Sequence, residues 1–113
     1  MEFRVAERMM LLSLLGDAEG DVTMLRIVRD TQAKIGFSEE ELEALDIRRE
    51  ETRMLWNGKA DQPVEIDIGK KAHKLITEKL ERLSAEKKLT VPQLVLYDKF
   101  VEDEDPDEEE KGD

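Results

Sequence analysis

The sequence predicts a small α+β domain, mostly helical, in the order α-α-α-β-β-α-α, with one β-hairpin, a loosely winged-helix-like layout and a disordered acidic C-terminal tail. Three observations carry this reading. Apolar residues recur at helical spacing on both sides of a central stretch in which the period drops to two. A Ser38/Glu41 pair marks a helix start inside the first helical block. The charge, finally, is unevenly divided. The 113 residues hold 18 basic and 29 acidic side chains, for a formal net charge of −11. Residues 102–113 alone hold nine acids and one base, so −8 of that total sits in the tail. Residues 1–101, with 20 acids against 17 bases, form a nearly balanced single domain. The tail, EDEDPDEEEKGD, has no apolar residue to offset the entropy of ordering, which is why disorder is expected there.

The first helix is expected over residues 5–15, where Ala6, Met9, Met10, Leu11, Leu12, Leu14 and Leu15 leave little polar face and place it in the middle of a core. Gly16 supplies a stop, and DAEGD reads as a polar loop. Asp21 caps a second helix over 22–34, with Met24, Leu25, Val28 and Ile35 near helical spacing and Arg26, Arg29 and Asp30 toward water. Ser38 and Glu41 form a capping box, with Phe37 and Leu42 in the two staple positions, so a third helix starts at Glu39. The following IRREE either extends that helix or connects it to the next element.

Thr52, Met54 and Trp56 then alternate with Arg53 and Leu55, Asn57-Gly58 is a turn signal, and Val64-Glu65-Ile66-Asp67-Ile68 alternates without a fault. These two runs are expected to pair as a hairpin that buries Val64, Ile66 and Ile68, with Pro63 at the strand start where its missing donor costs little. A long helix over 70–87 carries Ala72, Leu75, Ile76, Leu80 and Leu83 on one stripe. A last helix, begun by Thr90 and Pro92, buries either Leu94, Tyr97 and Val101 or the adjacent Leu96 and Phe100.

Composition excludes several chemistries. With no cysteine there is no disulfide framework, thiolate metal site or thiol nucleophile. The longest apolar run, MMLLSLL, is too short to span a bilayer and is followed by acids rather than a cleavage site, so a soluble, cytoplasmic protein is expected. His73 is the only histidine and stands without an acidic cluster at metal spacing, so a surface or partly packed histidine is expected. Ser13, Ser38 and Ser84 fall on an apolar helix, a cap and a helix body. Glu65 and Asp67 read as the wet side of a strand. No catalytic residue, cofactor or metal site is expected, and the chain is read as a non-enzyme.

Two surfaces remain as candidate sites. Lys70, Lys71 and Lys74, with His73 between them, crowd a helix N-terminus where the macrodipole favours anions; they read first as a solvated lysine cluster, and otherwise as a site for a phosphate, a partner's carboxylates or the folded-back acidic tail. Trp56 and the turn Asn57, Gly58 and Lys59 form the second candidate interface, although Trp56 itself reads first as packing between hairpin and helices. The third helix lies where a winged-helix protein carries its recognition helix, yet SEEELEALDI holds five acids and no Arg, Asn or Gln to read a base edge. A nucleic-acid partner is therefore not expected.

The ordering of an apolar helix with Glu7 and Arg8, the FSEEE helix start at Phe37, a strand ending in Trp56-Asn57, the VEIDIG strand and a closing LYDKFVE resembles small uncharacterised proteins of tailed phages and prophages. The resemblance spans most of residues 5–102, carries over no functional residue, and implies an accessory protein acting by binding. The acidic tail has no counterpart in that pattern. The expected function is a protein–protein interaction module without catalytic activity. An acidic inhibitor or nucleic-acid mimic working through the tail is the alternative, and a winged-helix-type transcription regulator comes third. The apolar first helix can be covered within one chain or across a homo-oligomer.

Overall fold

A computed structural model describes residues 1–102 of the chain. The elements run β1 (Glu2–Phe3), α1 (Val5–Gly16), α2 (Val22–Ile35), α3 (Glu39–Leu45), β2 (Arg48–Glu50), β3 (Arg53–Leu55), β4 (Val64–Glu65), α4 (Lys70–Ala85) and α5 (Leu94–Tyr97). A 3-10 turn at Gly58–Ala60 and a π-type turn at Asp98–Glu102 complete them. The result is the mostly helical α+β domain that the periodicity predicts. Of the predicted acidic tail, only Glu102 falls within the described residues.

The helix starts follow the local chemistry of the sequence. Asp21 accepts the Met24 N–H at 2.8 Å. The Ser38 hydroxyl accepts the Glu41 N–H at 3.1 Å while the Glu41 carboxylate accepts the Ser38 N–H at 2.9 Å, a complete capping box. The predicted staple is not used: Leu42 stays 46% exposed, and Phe37 lies under Arg8, 4.1 Å from ring centroid to guanidinium carbon. Asp46 then ends α3 in the left-handed region at φ 48°.

Strand pairing differs from the expected hairpin. Arg53–Leu55 pairs with Arg48–Glu50 just upstream, with Arg48 opposite Leu55, Arg49 opposite Met54 and Glu50 opposite Arg53. Within the IRREE segment Arg48–Glu50 is thus a strand, joined to its neighbour by a tight turn in which Glu51 takes φ 54°. Val64–Glu65 instead pairs with the N-terminal Glu2–Phe3, antiparallel. A two-residue turn closes at less entropic cost than the predicted seven-residue loop, and this leaves β4 for the distant N-terminal strand, with Glu2 opposite Glu65 and Phe3 opposite Val64. The period-two signal nonetheless found the inward face, since Ile66 and Ile68 are 5% and 9% exposed.

The core is built around Phe3, Leu11, Ile35, Ile76, Leu80 and Leu96, all essentially without solvent contact. Of the two predicted sets on the last helix, Leu96 and Phe100 are the buried pair, while Leu94 is 46% exposed. The helix itself is shorter than predicted and loosens into the π-type turn, which places the Phe100 ring 6.0 Å from that of Phe3 and 5.0 Å from that of His73. Two further expectations change. α1 is not apolar all round, for Ser13 and Ala6 face solvent, and its buried side includes Glu7 and Arg8. Met24 and Leu25, placed in the core by spacing, are 39% and 41% exposed.

Candidate functional site

Two sets of ionic groups in this domain differ in how they are partnered. In the first, every charge has a partner. Arg8 is 3% exposed; its Nε donates to the Ile35 carbonyl at 2.9 Å, one terminal nitrogen to the Gly36 carbonyl at 2.7 Å, and the pair reaches both Glu41 oxygens at 2.7 and 3.1 Å. This one side chain clips α1 to the end of α2 and the start of α3. The Arg8 guanidinium holds the Glu41 carboxyl down from the ordinary 4.5 to about 2, partial burial works against it, and the Ser38 N–H adds to the lowering. Glu7 accepts the Arg4 N–H at 2.7 Å and pairs with Lys99 at 2.8 Å, and Lys99 also donates to the Glu2 carbonyl. A concavity of about 750 Å³ between the α2–α3 junction and β4 is lined by Arg8 and Glu41. Its strongest charges are thus already neutralised by one another.

The loop predicted as an interface is also tied down. Asp61 takes the Val5 N–H at 3.0 Å, capping α1 from a distance, and accepts the Trp56 indole N–H at 3.1 Å. Arg4 reaches the Asp61 carbonyl at 2.7 Å. Asn57 donates its backbone N–H to Leu45 at 2.7 Å and accepts that of Lys59 at 3.1 Å, closing the end of α3. Trp56 is half-buried in this clasp, while Gly58 and Lys59 face solvent on the turn.

The second set comprises the lysines at the start of α4. His73 leaves the group, turned inward at 6% exposure against Phe100, with Thr77 Oγ1 3.4 Å from its Nδ1. Lys70, Lys71 and Lys74 remain exposed and make no ion pair among the described residues. The α4 start has a Gly69 cap with no side-chain acceptor and no acid in its first turn, and Asp21 and Glu78, which share the groove with Lys71 and Lys74, make no ion pair with them. Lys71 and Lys74 line a groove of about 320 Å³ between α2 and α4, with Met24, Ile27 and Leu75 as its apolar part and Asp21, Thr23 and Glu78 on its walls. A second hollow of about 190 Å³ shares Met24, Leu75 and Glu78 and carries the groove on to Lys79 and Arg82.

This groove follows from the spacing of α4. Ala72, His73, Ile76 and Leu80 form the face packed into the core. Lys71, Lys74, Leu75, Glu78 and Arg82 recur at intervals of three and four on an adjacent face, and all of them line the groove. Sequence reading located Lys71 and Lys74 but missed the groove, because it assigned Met24 and Leu75 to the core. The second stripe on α4 was the available signal.

Among the described residues no three His, Asp or Glu side chains converge to hold a metal ion, and no helix is long and apolar enough to cross a membrane. Comparison with protein-family models, with curated proteins and with solved structures finds no match for this chain.

Proposed function

We propose that this domain is a non-enzymatic protein-binding module that receives an amphipathic, acid-bearing segment of another protein in the groove between α2 and α4. The supporting observation is the coincidence of Met24, 39% exposed on the groove, with Lys71 and Lys74 on its rim, cations without an ion pair among the described residues. A methionine adapts its shape to varied apolar side chains. At about 320 Å³ the groove lies at the small end of the range for ligand pockets, and it suits two or three inserted side chains better than an enclosed metabolite. Lysines at one end fix the orientation of an acidic segment and speed its approach more than they add affinity. A nucleic-acid partner fits poorly, since α3 presents Glu39, Glu40 and Glu43 to solvent.

The test is an NMR titration of the full chain with a designed helical peptide that carries leucines at i, i+3 and i+7 beside glutamates. The expected result is saturable amide shifts at Met24, Ile27, Lys71 and Leu75, weakened by salt and absent when the peptide's glutamates are replaced by lysines. No shift at millimolar peptide, or shifts scattered over the surface, would contradict the proposal.

A further inference from the structure

All six residues of β2 and β3 are exposed, so both faces of this hairpin are bare. A two-stranded hairpin alone in water is marginally stable at best and normally rests on something apolar. Here Met54 and Leu55 are instead 44% and 38% exposed. Cross-strand partners share a face, so Arg49 and Met54 lie together on one side, while Arg48, Leu55, Glu50 and Arg53 lie on the other. Arg48 is held by Asp46 at 3.3 Å, whereas Arg49 makes no ion pair among the described residues.

Immediately upstream, α3 offers the complementary pattern. Glu39, Leu42 and Glu43 stand three and four positions apart on one stripe and all are exposed, Leu42 at 46%. One surface thus sets a cation beside a bare Met, and the neighbouring surface sets two carboxylates around a bare Leu. Both belong to the same chain, and a two-fold axis is the arrangement that satisfies both at once: the hairpin of one copy meets α3 of the other while the reverse contact forms, and the pair closes as a dimer. We infer that a second copy of this chain covers the hairpin, with Met54 against Leu42 and Arg49 between Glu39 and Glu43 of the other copy. The contact is separate from the α2–α4 groove and stands or falls independently of it.

The test is sedimentation equilibrium of the full chain, with circular dichroism to verify that each variant keeps its helix content. The Ser38/Glu41 cap is untouched by the substitutions. The wild type is expected to dimerise at low salt and to dissociate as salt rises. Arg49→Glu sets acid against acid at both contacts of the dimer, and Glu43→Lys sets base against base. Each is expected to weaken dimerisation by at least about tenfold, which corresponds to about 1.4 kcal/mol. An equimolar mixture of the two variants restores attraction at both contacts, and the dimer should return as a heterodimer. A wild type that stays monomeric at low salt overturns the inference and leaves the hairpin to a different macromolecule. So does an Arg49→Glu protein that dimerises like the wild type, or a mixture that fails to recover.

Discussion

Arg8 in α1 and Lys74 in α4 are both cations within the first turn and a half of a helix, each beside residues that pack into the core. They end in opposite conditions. Arg8 is 3% exposed, with two carbonyls and a carboxylate around it, because the end of α2 and the start of α3 cross directly over it. Lys74 is exposed on the rim of the groove between α2 and α4, with no ion pair among the described residues. The difference lies in what packs across from each helix, and it separates charges that hold the fold from charges left exposed. Counting charge along the chain cannot make that separation. The basic cluster at α4 and the single Arg8 look alike in sequence, yet one is surface and the other is a structural clip.

The contrast can be broken first at the clip. Arg8→Ala leaves the Glu41 carboxylate and the Ile35 and Gly36 carbonyls without their donor, and is expected to cost about 3 kcal/mol. In a domain of this size the melting temperature should then fall by more than about 10 °C, read by circular dichroism. A loss under about 1 kcal/mol would show that the clip is ornamental.

Glu41→Gln is the milder probe, expected to cost about 2 kcal/mol at neutral pH, since Arg8 keeps its carbonyl contacts but loses its counter-charge. The same pair sets an acid dependence. The Glu41 carboxyl titrates at about 2 when folded against an ordinary 4.5, so its contribution is complete above about pH 5 and drains away as the pH falls toward 2. Stability measured by denaturant between those limits should fall more steeply in the wild type than in Glu41→Gln. Equal slopes would remove Glu41 from the account.

The smallest effect belongs to the start of α4. Lys70 stands at the positive end of the helix dipole with no acid nearby in the first turn, so Lys70→Glu is expected to stabilise the fold by about 0.5 kcal/mol at low salt. Denaturant midpoints resolve that gain, and a destabilisation would mean that Lys70 has a partner.

What sequence could read here was local. The Ser38/Glu41 cap, the Asp21 cap and the inward face of Ile66 and Ile68 depend on neighbours within a few residues, and each is where the pattern placed it. What it could not read joins distant segments. β4 pairs with β1 rather than with the nearest strand, Asp61 caps a helix 56 residues upstream, and Arg8 meets a carboxylate 33 positions on. His73 turned inward for the same reason: its neighbour Phe100 arrives from the far end of the domain. Of the candidate residues, Lys71 and Lys74 kept the exposure that their sequence setting suggested. Trp56 and Asn57 were drawn into holding α1 and α3 in place.

The most direct test of the central claim compares binding with stability in one protein. In the double variant Lys71→Glu/Lys74→Glu, affinity for the glutamate-bearing helical peptide should fall at least about tenfold, equivalent to about 1.4 kcal/mol. The unfolding free energy, measured on the same samples, should stay within about 0.5 kcal/mol of the wild type, as befits exposed residues that make no ion pair among the described residues. Unchanged affinity, or a loss of binding that merely follows a loss of stability, would contradict the account.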